Sequence, residues 1–176
     1  LWSSDVKLDT TQMRMESIGV IRTPFGTAEG TPIQAAYAKG VEGVVEVDER
    51  LAEGLADLEG FERIWLLYLC NRTTSGRLRV VPFRDGTERG IFATRAPNHP
   101  NRIGLSPVRL VAVEGNRLRV ADVDMLDGSP LLDIKPYVPA FDSFPDVRFG
   151  WLEHGKETTI ADRRFAASDN DEDSKP

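Results

Sequence analysis

Val108 to Val123 reads VRLVAVEGNRLRVADV, and this stretch decides the fold class. Apolar residues recur along both halves, and the segment Glu114-Gly115-Asn116-Arg117 between them is a compact turn that contains glycine. Two apolar runs joined by such a turn predict an antiparallel hairpin with strands over Val108 to Val113 and Leu118 to Val123. Hairpins of this kind are the building units of antiparallel sheets and barrels.

Further runs of strand character lie outside the hairpin and are separated by turn residues. They are Met15 to Arg22, Val41 to Val47, Phe61 to Leu69, Leu78 to Phe83, Ile91 to Thr94 and Pro130 to Ile134. Together with the hairpin they predict a mainly β fold, a single-domain antiparallel β-barrel of about seven or eight strands. The nearly continuous apolar character of Phe61 to Leu69 predicts a central strand buried on both faces.

Helical structure is expected at one place only. Asp48 has the character of an N-cap, and Leu51, Leu55 and Leu58 fall on one face of a short helix behind it. Phe141 to Trp151 has aromatic residues and a proline without a clear period, which predicts an irregular C-terminal strap over the sheet.

The chain divides into three parts. An N-terminal extension is expected over residues 1–14, the barrel domain over 15–152 and a C-terminal tail over 153–176. Inside the barrel domain, the glycine- and proline-containing loop from Gly26 to Gly40 is long enough to predict a functional or mobile segment. From residue 166 the sequence AASDNDEDSKP is acidic and poor in apolar residues, so this end is expected to be flexible.

The composition excludes several classes of protein. No apolar run approaches the roughly 18 residues of a membrane-spanning helix, and the first residues show no basic segment followed by an apolar one. The expected location is the cytoplasm, without a membrane partner. The sequence has no G-x-G-x-x-G after a strand, no P-loop, no H-E-x-x-H and no G-x-S-x-G. A nucleotide site must therefore be built in another way.

Cysteine and histidine are scarce in this chain. Cys70 is the single cysteine, and His99 and His154 are the two histidines. Cys70 ends an apolar strand, so a buried structural thiol is the favoured interpretation, and a nucleophile is the alternative. Without a Cys/His cluster at ligand spacing, no metal site is expected.

Positive charge is concentrated in the middle of the chain. The net charge is −6, yet the segment from Asn71 to Leu110 has eight arginines against Asp85 and Glu88. These arginines are Arg72, Arg77, Arg79, Arg84, Arg89, Arg95, Arg102 and Arg109. One interpretation is a solvated strand face, and the other is a phosphate-binding surface, because the planar guanidinium group suits phosphate.

Two polar segments carry a resemblance to a known family. FATRAPNHPNRIGLS from Phe92 and DMLDGSPLLDIKPYVP from Asp124 resemble the TrmO family, also called TsaA-like. The earlier segments IGVIRTPF, GTPIQ and GFERIWLLYL follow the family's order and spacing, so the resemblance covers about Ile18 to Pro139. It implies a β-barrel methyltransferase that uses S-adenosylmethionine. The implied substrate is the anticodon loop of tRNA, methylated on N6 of threonylcarbamoyladenosine at position 37, and the implied assembly is a homodimer with the cofactor site near the interface.

The resemblance also implies which residues form the cofactor pocket. They are Pro32, Ile33, Gln34, Asn71, Arg72, Arg95, Leu105, Asp124, Met125, Leu126 and Asp127. A carboxylate or carbonyl groups would favour the sulfonium cation, and Leu105, Met125 and Leu126 would offer an apolar wall. Backbone groups at Asp127-Gly128 are expected to bind the adenine edge. Without the resemblance, this last segment would be an ordinary turn.

Asn101, Lys135 and Tyr137 match the family's substrate-facing positions and are the predicted catalytic residues. Methyl transfer needs the acceptor nitrogen, the methyl carbon and the sulfur in line, so positioning is expected to matter more than a strong base. Taken without the family, Lys135 is a solvated charge and Tyr137 an aromatic at the edge of the core. The alternatives to a tRNA methyltransferase are an enzyme acting on a small molecule or another RNA, and a non-catalytic cofactor-binding barrel.

The chain departs from the family pattern inside its best motif. Where many members have Arg-Pro-Asn-Pro-Ile-Gly, this chain has His99-Pro100-Asn101-Arg102-Ile103-Gly104. A second departure is Cys70-Asn71-Arg72-Thr73 after the central strand, where many members have a histidine followed by glutamine or lysine.

Overall fold

The predicted hairpin forms and is longer than predicted. The computed structural model describes residues 13–73 and 76–166. In it, strand β6 spans Ile103–Glu114 and strand β7 spans Arg117–Ala121, with Glu114 paired to Arg117 across a two-residue turn. Gly115 has a φ of 63°, the left-handed conformation that the tightest hairpin turns need at their first position.

Six strands close the barrel. Besides β6 and β7, the described residues form β1 (Gly19–Arg22), β2 (Glu42–Val47), β3 (Arg63–Leu69) and β8 (Ser129–Pro136), which belong to the barrel. Two short strands outside it are β4 (Arg79–Val80) and β5 (Arg89–Gly90). The barrel order is β1-β2-β7-β6-β3-β8, and every pair is antiparallel. The mainly β barrel is confirmed, but it closes with six strands and not with the predicted seven or eight, because two of the eight described strands lie outside it.

Strands β4 and β5 pair only with each other. The predicted strand over Leu78 to Phe83 shortens to two residues, since Pro82 cannot donate to a ladder. The predicted strand over Ile91 to Thr94 is wrong. Ile91–Ala93 is a single 3₁₀ turn, because an apolar run of this length does not by itself distinguish a strand from a helical turn.

Strand β3 lies between β6 and β8 and alternates in burial. Ile64, Leu66 and Tyr68 point into the core, whereas the residues between them are half-buried. The prediction of burial on both faces is therefore wrong, since one face of a barrel strand points inward and the other outward. The core contains, among others, Ile21, Val45, Ile64, Leu66, Val108, Leu118, Val120 and Leu131.

The helical segments are short. The predicted helix after Asp48 is a 3₁₀ helix, Glu49–Leu55, and Asp48 caps it by accepting a hydrogen bond from the Arg50 N–H at 3.0 Å. The one α-helix among the described residues, α1, is Pro139–Asp142 and begins the predicted strap. Further 3₁₀ turns are Ala35–Tyr37, Leu58–Gly60, Gly150–His154 and Arg163–Phe165. No helix in the described ranges is long and apolar enough to cross a membrane.

The C-terminal segment holds the long loop in place. The Ile33 N–H donates to the Thr159 carbonyl at 2.9 Å, and the Ala161 N–H donates to the Thr31 carbonyl at 2.8 Å. Ala166 forms an isolated β-bridge with Thr73. The loop is therefore braced by residues that follow the predicted domain boundary at 152. The expected flexibility from residue 166 onward falls almost wholly on residues 167–176, which lie outside the described residues, as does most of the predicted extension over 1–14.

Candidate functional site

A cavity of about 650 Å³ lies where the loop, the barrel and the C-terminal segment meet. This volume lies within the range of about 300–1,000 Å³ that small-molecule and cofactor sites occupy. Its walls include residues 31–34, 70–73, 82–84, 92–97, 103–106, 124–126, 151–152 and 161–162. Segments far apart in sequence therefore build one site, and the barrel strands β3 and β6 supply its rigid side.

Ten of the eleven predicted cofactor residues line this cavity. They are Pro32, Ile33, Gln34, Asn71, Arg72, Arg95, Leu105, Asp124, Met125 and Leu126. Asp127 is the exception. Its Oδ1 accepts a hydrogen bond from the Thr23 N–H at 3.1 Å, so this side chain fastens the loop after β1.

Three of the Asp127-Gly128 backbone groups, which were expected to bind an adenine edge, have hydrogen-bond partners within the chain. The Asp127 N–H donates to the Phe25 carbonyl at 2.8 Å, and the Gly128 N–H donates to the Ile21 carbonyl at 2.9 Å. The Asp127 carbonyl accepts from the Arg72 guanidinium. These contacts fit the alternative of an ordinary turn, and the adenine contact stays a prediction.

Asp124 stands at the centre of a buried hydrogen-bond chain. The Ser106 hydroxyl donates to Asp124 Oδ1 at 2.5 Å, and the Tyr68 hydroxyl lies 3.3 Å from Ser106 Oγ. Because Ser106 has one hydroxyl proton and directs it at Asp124, Tyr68 donates to Ser106. Burial raises the pKa of Asp124 to about 6, although the hydrogen bonds from Ser106 and from backbone N–H groups partly oppose the shift. Asp124 is therefore a carboxylate at neutral pH whose charge lacks an ion-pair partner among the described residues.

Ser106 and Tyr68 were missed by reasoning from the sequence. Tyr68 pairs in register with Gly104, and a Cβ at Gly104 would overlap the Tyr68 ring. Gly104 therefore leaves space for the Tyr68 ring, whose hydroxyl donates to Ser106. A glycine inside an otherwise apolar strand is a known sign of such a close approach, and Gly104 was the available signal.

Three arginines line the cavity, namely Arg72, Arg84 and Arg95. Arg95 donates to Gln34 Oε1 at 2.8 Å, and Arg84 donates to the Tyr37 hydroxyl at 3.0 Å. Within the described ranges, none of the three arginines forms an ion pair with a carboxylate. Their positive charge favours an anionic ligand.

Other members of the arginine-rich segment are already neutralised. Arg79 pairs with Glu88 at 2.8 Å, and Arg89 pairs with Asp85 at 2.6 Å. These two fit the interpretation as a solvated face, whereas the cavity arginines fit the interpretation as an anion-binding surface.

Cys70 lines the cavity as a half-buried residue. Burial raises the pKa of its thiol to about 11, and Asp124 adds to the shift. The thiol is therefore protonated at neutral pH, which supports the structural interpretation over that of a nucleophile.

Asn101, Lys135 and Tyr137 lie outside the cavity wall. Asn101 is exposed in the turn before β6. Lys135 pairs with Asp133 at 2.9 Å, and the Tyr137 ring packs on Trp65 with 5.4 Å between centroids.

The pairing of the strands shows how far Lys135 lies from the cavity wall at Leu105. Leu105, Leu67 and Asp133 lie side by side on β6, β3 and β8. Two strand spacings, about 10 Å, therefore separate the cavity wall at Leu105 from the strand that holds Lys135. Strand β8 reaches the cavity at Ser129, whereas Lys135 and Tyr137 lie farther along the chain and do not line it. Asn101 lies between the lining residues His99 and Ile103 but does not itself line the wall.

The described residues offer no candidate metal site. No group of three or more His, Cys, Asp or Glu side chains among them is arranged to hold a metal ion.

Comparison with known proteins assigns the family. Residues 20–143 match the family model of the tRNA-methyltransferase O N-terminal domain. This chain belongs to the TrmO family. The family's match ends at residue 143, so the segment 151–165 that completes the cavity lies beyond it.

Individual TrmO relatives agree with this assignment. The chain is 52% identical over 151 residues to a probable S-adenosyl-L-methionine-binding protein of Pyrococcus abyssi, covering 84% of this chain and 82% of that protein. It is 33% identical over 147 residues to the human tRNA (adenine(37)-N6)-methyltransferase, covering 80% of this chain and 33% of the human one. The crystal structure of TrmO from Pseudomonas aeruginosa matches with a TM-score of 0.67 and 37% identity, covering 79% of this chain and 62% of that one. The chain thus spans less than two thirds of the solved enzyme and about a third of the human one.

Proposed function

We propose that this protein is an S-adenosylmethionine-dependent methyltransferase of tRNA. In this proposal it methylates N6 of threonylcarbamoyladenosine at position 37, beside the anticodon. The single observation that carries the proposal is the cavity in which an unpaired carboxylate, an apolar wall and unpaired arginines meet. Relatives named as S-adenosyl-L-methionine-binding proteins and as tRNA (adenine(37)-N6)-methyltransferases support it.

The residues of the cavity fit the cofactor. Above pH 6 the Asp124 carboxylate offers a negative charge without a competing ion pair, which suits a cationic ligand. Met125 and Leu105 supply apolar surface on two sides of the cavity, Met125 buried and Leu105 partly open. When bound there, S-adenosylmethionine supplies a methyl carbon activated by its positively charged sulfur.

The chain's own contribution to the reaction is positioning. Tyr68 and Ser106 hold the Asp124 carboxylate in one orientation, so its charge is preorganised before any ligand enters. Arg95, braced by Gln34, presents its guanidinium at the cavity, where it would attract a phosphate of the acceptor RNA. In methyl transfer an N–C bond would form at the acceptor nitrogen as the S–C bond of the cofactor breaks, with S-adenosylhomocysteine as the leaving group and the nitrogen's proton passing to water.

We also propose that the protein acts as a homodimer. Ile103 and Leu105 are 44% and 47% exposed on the outer face of β6, and they adjoin the half-buried Leu67 and Leu69 of β3. A second copy on this apolar face would cover it and would bring a second set of Lys135 and Tyr137 toward the cavity. This arrangement would account for catalytic residues that stand apart from the cofactor residues within one chain.

Labelled cofactor tests the proposal directly. The protein is incubated with methyl-labelled S-adenosylmethionine and total tRNA, prepared with and without the threonylcarbamoyl modification. We expect the label on modified tRNA only, and digestion followed by mass spectrometry should place it on the base at position 37. Unlabelled RNA in both samples, from protein that binds the cofactor, would contradict the proposal and favour a small-molecule methyltransferase or a binding barrel. The cytoplasmic location stays a prediction.

A further inference from the structure

Phe92 stands at the rim of the cavity with 77% of its surface exposed. Its neighbour Ile91 is almost fully buried in a small second core with Val80, Ala96 and Phe165. The 3₁₀ turn Ile91–Ala93 therefore anchors one side chain inward and holds the next one outward. The exposed position of Phe92 is a consequence of a rigid turn, not of a loose loop.

A second aromatic ring fixes the Phe92 ring. His99 meets it edge to face, with 5.8 Å between centroids and 66° between planes. His99 is itself held, because its Nε2 lies 3.1 Å from the Thr94 carbonyl. The ring of Phe92 is thus oriented in advance while most of its surface remains open to solvent.

The surroundings of Phe92 favour one kind of ligand. Trp151 also lines the cavity, and its indole N–H donates to the Ala93 carbonyl at 2.7 Å, which ties it to the same turn. Arg84 and Arg95 line the same cavity without carboxylate partners in the described ranges. The Arg89 guanidinium lies over the Trp151 ring, 5.7 Å from its centroid, so Phe92 provides the open aromatic face. An open aromatic face beside unpaired arginines is typical of sites that bind unpaired nucleotides, where a base stacks on the ring and phosphates meet the cations. An apolar peptide would leave these guanidinium charges without partners.

We propose that Phe92, oriented by His99, is the platform on which an unstacked nucleobase of the substrate RNA rests as it enters the cavity. Arg84 and Arg95 contact the phosphates on either side of that base. This inference rests on the proposed function in that it takes RNA as the substrate, and it assigns base recognition to a residue outside the predicted site.

The test compares three variants of the full chain. Phe92→Ala removes the ring, and Phe92→Trp keeps a stacking surface. Phe144→Ala is the matched control, because Phe144 is 69% exposed and does not line the cavity. Each variant is titrated with a fluorescent anticodon stem-loop RNA by anisotropy, with a fully duplex RNA of equal length, and with S-adenosylmethionine by calorimetry.

We expect Phe92→Ala to weaken stem-loop binding by roughly 5- to 150-fold, the range of one lost base–aromatic stack. Phe92→Trp and Phe144→Ala should bind the stem-loop as the wild type does. Duplex RNA should bind all the variants equally because its bases are already stacked. The cofactor should also bind them equally, because the proposal places its adenine inside the cavity and not on Phe92 at the rim. Light scattering should show one oligomeric state for all the proteins.

Several outcomes would overturn the platform. They are wild-type stem-loop affinity in Phe92→Ala, an equal loss of duplex binding, a loss of cofactor binding, and a change of oligomeric state. The last two would place Phe92 in the cofactor site or in a subunit interface. A wild-type protein that binds the stem-loop through Phe92 but methylates no RNA would sink the proposed function while supporting the platform. Undiminished methylation by Phe92→Ala, with an unchanged KM for tRNA, would contradict the platform while supporting the proposed function.

Discussion

The Ser106 hydroxyl and the Asp124 carboxylate are joined by a 2.5 Å hydrogen bond in the wall of the cavity. Ser106 lies on the rigid strand β6, and Asp124 lies in the turn segment before β8. The bond therefore couples the scaffold to the residue that offers negative charge to a cofactor.

Ser106→Ala should weaken cofactor binding and also destabilise the fold. The variant leaves Asp124 without its serine partner and frees the Tyr68 hydroxyl, so the carboxylate loses its fixed orientation. A hydrogen bond to a charged group contributes about 1.5–3 kcal/mol to stability, so the loss of cofactor affinity should be at most roughly 10- to 150-fold. Calorimetric titration measures it, and the exposed Ser143→Ala serves as the control. Equal affinity in the two variants would remove Ser106 from the site.

Cofactor binding should depend on pH through Asp124. Because burial raises the pKa of this carboxyl to about 6, the carboxylate form is lost as pH falls through 6. We expect the affinity for S-adenosylmethionine to rise between pH 5 and pH 7 in the wild type and to be nearly constant in Asp124→Asn. A parallel pH dependence in the variant would assign the effect to another group.

Asp124→Asn should also stabilise the cofactor-free protein at pH 8. The folded-state pKa lies above the usual 3.8, so folding opposes ionisation: this carboxyl favours the fold most below pH 3.8, and that contribution is lost as pH rises to 6. The shift corresponds to at most about 3 kcal/mol. Urea unfolding at pH 8 and at pH 3.5 should show a gain for the variant at the higher pH only. A gain of equal size at both values would refute the assignment.

Gly104→Ala should destabilise the barrel by about 1–3 kcal/mol, because the new Cβ overlaps the Tyr68 ring and overpacks that part of the core. The control is Gly90→Ala, where a Cβ meets nothing within 4 Å. Urea unfolding measures both. If the two variants unfold at the same midpoint, the Tyr68 ring has room to move aside.

Asp122→Ala should lower stability by about 2 kcal/mol and loosen the end of the long loop. Asp122 accepts a hydrogen bond from the Gly40 N–H at 2.8 Å and pairs with Arg63 at 2.7 Å, and its own φ is 68°. The matched control is Asp57→Ala, since Asp57 has a φ of 64° and its side chain makes no capping hydrogen bond. Thermal unfolding and amide exchange at Gly40 check the difference, and equal effects would show that only the backbone conformation matters.

The local patterns in the sequence were sufficient to predict a β-barrel, but not to predict which face of each strand points into it. The hairpin around Gly115 was predictable because alternation and turn chemistry act over neighbouring residues. The burial of β3 on one face only was not, because it depends on which side of the closed barrel each residue occupies. At Ile91 a short apolar run carried no information on whether the chain extends or turns.

The site was predictable where the family resemblance reached it and not beyond. The resemblance supplied Asp124 and Arg95, which line the cavity, but not the Ser106 and Tyr68 side chains behind Asp124. The segment that contains Trp151 completes the wall through isolated bridges and tertiary contacts. Contacts of this kind have no periodicity that a sequence could display.

The bridge between Pro32 and Ile160 joins residues from opposite ends of the described chain. During synthesis the loop around Pro32 leaves the ribosome long before its partner does. The barrel strands are complete by residue 136, so the scaffold can fold while the cavity still lacks a wall. The newly made protein therefore becomes able to take up a ligand only after the segment around Ile160 has been synthesised, as a step separate from the folding of its barrel.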